Sequence, residues 1–142
     1  MRLFISALAC LLSLSVFSQT NFTGAISNDW ADAGNWDNGL PAEGNDAIIP
    51  AGLTVSIFDS FDNLGYISNF GTINNSGTIY ISYYDTIYNE YGGTINNDGT
   101  IINNDGTIIN VGTINNDGTI NNEYGGTIYN EYSGTIHNYD PG

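Results

Sequence analysis

One tripeptide, Gly-Thr-Ile, restarts every six to eight residues over most of this chain. Such internal repetition constrains the architecture more than composition does, because every repeat must make the same contacts as its neighbours. Two degenerate copies, Gly65-Tyr66-Ile67 and Asp85-Thr86-Ile87, extend the series. The pattern predicts a coil of short, nearly identical strands. The full copies begin at Gly71, Gly77, Gly93, Gly99, Gly106, Gly112, Gly118, Gly126 and Gly134.

The spacing becomes regular when three copies are taken together. Gly65 to Asp85 is 20 residues, Asp85 to Gly106 is 21, and Gly106 to Gly126 is 20. Three strands in a turn of about 20 residues predict an all-β fold, a three-faced single-stranded parallel β-helix, or β-solenoid. Side chains alternate along a strand, so the isoleucines should form three buried stacks. The predicted stacks are Ile73, Ile95, Ile114 and Ile136; Ile67, Ile87, Ile108 and Ile128; and Ile79, Ile101 and Ile120.

Asparagine takes the fifth position of most repeats, as at Asn75, Asn97, Asn116 and Asn138. Stacked Asn amides hydrogen-bond along the axis of cross-β structures, and Asn also tolerates left-handed backbone at tight corners. An unpaired buried amide would be costly. We therefore expect these residues to form ladders or corners, and the restart glycines to serve the same bend.

Residues 1–18 have the pattern of an export signal. Arg2 precedes an apolar run over residues 3–17, and cleavage is predicted after Ser18. The run is too short to span a bilayer, so no membrane insertion is expected. An alternative reading takes Ala7-Leu8-Ala9-Cys10 as a lipoprotein box that would lipidate Cys10. Either reading predicts a secreted, extracellular or cell-surface protein.

The excess of acidic over basic residues excludes some classes of partner. The chain has fifteen acidic residues, and its single basic residue, Arg2, lies in the predicted signal. Without cations the exported chain is not expected to bind nucleic acid, and binding to anionic membranes is disfavoured. Its richness in Ile, Thr and Tyr is typical of a folded domain and not of a disordered chain.

The segment at residues 19–44 differs from the repeats and is predicted to be an N-terminal cap, followed by a solenoid over residues 45–142. It holds both tryptophans, Trp30 and Trp36. Solenoid ends must be covered, so these rings are expected to close the core. The alternative is a platform on which a sugar stacks.

A resemblance supports this division. Residues 29–57 contain, in order, Trp30, Asn35-Trp36, Gly39-Leu40-Pro41, Asp46, Ile48-Ile49-Pro50, Gly52 and Thr54-Val55. This arrangement resembles the opening segment of many secreted β-helical proteins of Bacteroidetes, and the later coils resemble filamentous-haemagglutinin-type repeats. The resemblance implies a parallel β-helix surface protein or adhesin.

Two sets of outward residues are candidates for surface binding. The first is a grid of small polar groups, which suits either simple strand propensity or an ice-binding plane. The second is a set of tyrosines at longer corners, which suits either stacking between turns or contact with glycans or proteins. The candidates are Thr72, Asn74, Thr94, Asn96, Thr113, Asn115 and Thr135, with Tyr88, Tyr91, Tyr129 and Tyr132.

Cofactor and catalytic chemistry have little support. Asn-Asn-Asp-Gly resembles part of a calcium loop, but the loop's other acidic ligands are absent at the required spacing. Asp98 and Asp117 remain the only candidates to share a calcium ion weakly, and no other cofactor is expected. The exported chain has one histidine, His137, and no Lys, Arg or Cys, so no enzyme is predicted.

These features predict a non-enzymatic β-solenoid with a structural, adhesive or self-assembling role outside the cell. The alternative function is ice binding through a flat Thr/Asn face. The repeats run to Tyr139 without a distinct cap. An uncapped strand edge invites another chain, so the expected partner is a second copy stacked end to end. A chain cut from a longer protein would show the same pattern.

Overall fold

The computed structural model describes residues 18–62 and 65–139. Most of the predicted signal, with Cys10, and residues 140–142 therefore lie outside the described residues. Between these limits the chain forms short strands and one 3-10 helix, η1 (Ala33–Asn35), and no helix there could cross a membrane. The strands are β1 (Ser18–Asn21), β2 (Asn45–Ile49), β3 (Thr54–Ile57), β4 (Ser60–Phe61), β5 (Tyr66–Asn69), β6 (Thr72–Asn75), β7 (Thr78–Ile81), β8 (Thr86–Asn89), β9 (Thr94–Asn97), β10 (Thr100–Asn104), β11 (Thr107–Asn110), β12 (Thr113–Asn116), β13 (Thr119–Glu123), β14 (Thr127–Asn130) and β15 (Thr135–Asn138).

The strands stack into three parallel sheets, which form the three faces of a solenoid. Face 1 has the order β1-β2-β5-β8-β11-β14, face 2 the order β3-β6-β9-β12-β15, and face 3 the order β4-β7-β10-β13. Successive strands of one face come from successive turns, and equivalent repeat positions pair directly: Thr94 lies opposite Thr72 on one side and Thr113 on the other. The prediction of an all-β, three-faced solenoid with about 20 residues per turn is confirmed.

The core consists of the predicted isoleucine stacks. Ile73, Ile95 and Ile114 pair in register on face 2 and are at most 1% exposed. The corresponding residues of faces 1 and 3 are buried in the same way. Only the last turn differs, because its inward residues Ile120 and Ile128 are partly buried and have no following rung among the described residues.

Inside each face, asparagines form ladders along the axis, as predicted. Most of the side-chain nitrogens donate to the amide oxygen of the next turn and to a threonine carbonyl of the following face; Asn97 Nδ2, for example, lies 2.6 Å from Asn116 Oδ1 and 3.1 Å from Thr119 O. Asn116 Nδ2 donates to the carbonyl of Gly118 instead of a threonine carbonyl. Both amide hydrogens are thus used away from water. The ladders are Asn69-Asn89-Asn110-Asn130, Asn75-Asn97-Asn116-Asn138 and Asn103-Asn122.

The first asparagine of every ladder lies in register with an isoleucine of the preceding turn. Ile57 lies in register with Asn75, and Ile81 with Asn103. Since isoleucine cannot donate a hydrogen bond, the first Oδ1 of each ladder is buried without a partner in the described structure. The ladders are therefore polar chains with one unpaired acceptor at the N-terminal end.

The restart glycines have a different role from the one expected. Those of the nine full copies do not have positive φ; among the restarts only Gly65 does, at 65°. Glycine is required at these restarts because a Cβ atom would overlap a backbone carbonyl oxygen of the preceding turn. A Cβ at Gly99, for example, would overlap the carbonyl oxygen of Gly77. Left-handed backbone occurs just before the restart instead, at Asp105 and Tyr84, for example.

Aromatic side chains close the N-terminal end. Trp30 and Trp36 are 6% and 5% exposed, and their rings pack edge to face with centroids 4.8 Å apart. Trp30 also stacks on Phe61 at 4.9 Å, and Phe22 packs against Trp36. Both tryptophans thus belong to the buried core, and rings buried this deeply are not a platform for a sugar.

Candidate functional site

The most regular surface of the molecule is the outward side of face 2, which we call the amide face. One column is threonine and the neighbouring column is mainly asparagine, because the register places equal repeat positions one above another. All of the predicted grid residues fall here. The threonines are half-buried, so that they present only part of each side chain. The columns are Thr72, Thr94, Thr113 and Thr135, and Asn74, Asn96, Asn115 and His137.

The outward asparagines hold one another in place. Asn96 Nδ2 donates to Asn74 Oδ1 at 2.8 Å, and Asn115 Nδ2 donates to Asn96 Oδ1 at 2.9 Å. This outer ladder has the opposite polarity to the inner one. Each of its amides uses only part of its capacity in these bonds, so N–H groups and carbonyl lone pairs remain available to other partners. The column is an ordered row of unsatisfied hydrogen-bonding groups.

An open groove of about 630 Å³ follows the asparagine column. Asp98 and Asp117, from consecutive turns, line the groove. Phe58 and Tyr139 also line it, among polar groups. The two predicted calcium candidates therefore lie together. Across residues 18–62 and 65–139, no set of three or more His, Cys, Asp or Glu side chains is arranged to hold a metal ion.

The four predicted tyrosines lie on and beside face 1. Tyr88 and Tyr129 are outward residues of β8 and β14, separated by Ile109 of the intervening strand. Tyr91 and Tyr132 project from the corner between faces 1 and 2, two turns apart, and are 80% and 94% exposed. The exposure of Tyr91 and Tyr132 favours contact with a ligand.

Sequence reasoning missed a second concave site, which we call the tyrosine cleft. It has a volume of about 400 Å³ and lies at the corner between faces 3 and 1. None of the candidate residues predicted from the sequence lines this cleft; the signal that could have located it is Asp85, which replaces the restart glycine. The lining residues are Glu43, Gly44, Asp46, Gly65, Tyr66, Tyr83, Tyr84 and Asp85.

The charged groups of the surface are almost all negative. The described residues contain no Lys or Arg, so their carboxylates have no such cation to pair with. Burial raises the pKa of Glu90. Burial also raises the pKa of Tyr66, and the negative charge of Glu90 adds to that shift. Carboxylates that face solvent without counterions favour cationic or hydroxyl-rich ligands over anionic ones.

No protein-family model, no characterised protein and no solved structure matches this chain. The functional argument therefore depends on the chemistry of these surfaces and on the fold that positions them.

Proposed function

We propose that this protein is a non-catalytic adhesive scaffold of the cell exterior, which binds an extended glycan through its amide face. The observation that carries the proposal is the ladder of Asn74, Asn96 and Asn115, whose amides bond to one another at 2.8 and 2.9 Å and still face outward. Side chains ordered before binding lose little entropy when a ligand arrives. A repeating ligand can then repeat one weak contact over several turns.

The chemistry of the face fits sugar hydroxyls. Amides both donate and accept hydrogen bonds, and carboxylates such as Asp98 and Asp117 accept them. Tyr139, 51% exposed, supplies an aromatic ring beside the groove. Rungs about 4.8 Å apart give a linear polysaccharide a contact at intervals near the length of one sugar.

The remaining parts of the proposal come from the sequence. The export signal pattern and the resemblance to secreted β-helical surface proteins support a position outside the cell. The absence of Lys, Arg and Cys from residues 19–142 removes the usual catalytic cations and the thiol nucleophile, which supports a non-catalytic role. The same acidity argues against nucleic acid as a partner.

A glycan array probed with the exported chain tests the proposal. Binding should fall at least severalfold for Asn96→Ala combined with Asn115→Ala, because two rungs of the ladder are removed. Asn104→Ala changes an exposed asparagine of face 3 and is the matched control. Binding to no glycan, or binding equally reduced by the control, would contradict the proposal.

Ice binding is the second candidate, and the threonine column favours it. Thr72, Thr94, Thr113 and Thr135 repeat once per rung in strict register. An ice-recrystallisation assay decides between the candidates. Inhibition that is abolished by Thr94→Tyr with Thr113→Tyr would support ice binding, whereas the absence of inhibition would remove it.

Self-association is the third element, and the C-terminal end of the described structure favours it. A cavity of about 280 Å³ opens there between Ile120, Ile128 and Ile136. Because aromatic rings close the opposite end, we propose that two copies meet through this same end, as a closed dimer and not a filament. Light scattering coupled to size exclusion should show a dimer that Ile128→Glu converts to a monomer. A wild-type monomer at high concentration would contradict it.

A further inference from the structure

Two kinds of group line the tyrosine cleft. Tyr83 and Tyr84 form an aromatic wall, with ring centroids 3.9 Å apart, and the two residues are 65% and 85% exposed. Glu43 and Asp46 provide carboxylates to the lining and form its acidic wall. One oxygen of Asp46 accepts the backbone N–H of Tyr66 at 3.1 Å, which leaves its other oxygen free of that contact.

The carboxylate of Asp85 is the most informative group of the cleft. It is only 4% exposed, and its oxygens accept the backbone N–H groups of Gly65 at 3.1 Å and Ser82 at 2.9 Å. These two bonds position it but supply no positive charge. Burial of a carboxylate without a cation is costly. A cationic ligand in the cleft would lower that cost.

The backbone at Tyr84 is unusual for a tyrosine. Its φ is 75°, in the left-handed region that glycine adopts freely and that is unusual for a bulky side chain. Glycine would relieve the strain. A tyrosine held there and 85% exposed contributes nothing to the core, so its ring is available for an external partner.

We infer that the tyrosine cleft binds the guanidinium group of an arginine that is presented by a basic protein partner. A planar guanidinium stacks with its face on an aromatic ring while its edge donates to carboxylates, so a single group satisfies both walls. A lysine ammonium lacks the planar edge, and a neutral sugar leaves the carboxylates uncompensated. The cleft lies away from the amide face, so this inference does not depend on the proposed glycan.

The test is a titration of the ¹⁵N-labelled protein with N-acetyl-arginine methylamide, followed by NMR at the amides of Gly44 and Gly65. The neutral isostere N-acetyl-citrulline methylamide, N-acetyl-lysine methylamide and glucosamine are the competing probes. A single small probe avoids the general attraction of any polycation to an acidic protein. We expect saturable shifts at the cleft with the arginine probe and much weaker ones with the other three.

Two variants assign the binding to the two walls. Tyr84→Gly removes the ring and relieves the backbone, so the protein should fold, and affinity should fall about two- to fivefold. Glu43→Gln should weaken binding about two- to fivefold through loss of one charge. The matched controls are Tyr124→Gly, which changes another exposed tyrosine with positive φ on the same corner, and Glu123→Gln; neither should alter the affinity.

Several results would overturn the inference. Equal binding of the citrulline probe would exclude recognition of charge, and tighter binding of glucosamine or of the lysine probe would assign the cleft to another ligand. Shifts confined to the amide face, or equal effects of the control variants, would place the site elsewhere. Absence of saturable binding by the arginine probe would also refute it.

Discussion

The substitution Asn97→Ala tests whether the inner amide ladder holds the turns together. Asn97 lies in the middle of its ladder and is fully buried. It accepts from Asn75 Nδ2 at 2.6 Å and donates to Asn116 Oδ1 at 2.6 Å and to Thr119 O at 3.1 Å. Alanine removes these three hydrogen bonds, together with a longer one from Asn97 Nδ2 to Gly99 O at 3.3 Å, and leaves a small cavity, while the isoleucine stack next to it is unchanged.

The expected loss follows from these contacts. Three hydrogen bonds contribute about 1 kcal/mol each, and leaving the Oδ1 of Asn116 buried without a donor adds about 1 kcal/mol or more. The free energy of unfolding should therefore fall by about 3 to 5 kcal/mol. At about 4 °C per kcal/mol, the thermal midpoint should decrease by about 12 to 20 °C.

The neighbouring residue provides the control. Asn96 lies one position earlier on the same strand, belongs to the outer ladder and makes two amide bonds on a half-buried surface. Water replaces those bonds when the side chain is removed, so Asn96→Ala should cost about 1 kcal/mol or less. Both variants are compared by thermal and urea unfolding, followed by circular dichroism. Equal losses for the two variants would refute the argument that buried ladder bonds dominate.

Two further predictions concern the core and the N-terminal cap. Ile95→Asp places an unpaired charge in an isoleucine stack and should lower the free energy of unfolding by more than about 4 kcal/mol, so the β signal in circular dichroism should be lost. Ile102→Asp, on the outward side of β10, should remain folded. An unchanged spectrum for Ile95→Asp would contradict the inward assignment. The backbone N–H and then the side-chain amide of Asn21 lower the pKa of Asp37 below its usual 3.8. A lowered folded-state pKa gives stability that is present above the unfolded-state pKa and is lost as the pH falls through the folded-state pKa. Wild type should therefore exceed Asp37→Asn in unfolding free energy at about pH 5, and this advantage should shrink as the pH falls below 3.8. A difference independent of pH would contradict it.

Much of the fold could be predicted because its contacts repeat. Ile73, Ile95 and Ile114 occupy the same repeat position, and parallel stacking in register brings equal positions together. The buried ladder through Asn75 and Asn97 follows from the same rule, since a buried amide needs a partner and the nearest candidate is its own copy one turn away.

The regular surface could be predicted for the same reason, and the irregular one could not. The columns through Thr94 and Asn96 are copies of one another. The tyrosine cleft instead combines Glu43 and Asp46 of one turn with Tyr83 and Asp85 two turns later. Equivalent positions of these turns carry different residue types, with Asp85 at the position of Gly65, so the repeat pattern alone does not show which side chains line the cleft.

The sequence by itself determined the period, the three faces and the inward side of each strand, because these depend on alternation and on local spacing. The tertiary structure alone decided three other points. It showed that restart glycines such as Gly99 avoid the carbonyl of the turn above, that each ladder begins with an unpaired oxygen below an isoleucine, and that Asp85 is buried beside two exposed tyrosines. Each of these depends on distances between turns, which arise only when separate parts of the chain are packed against one another.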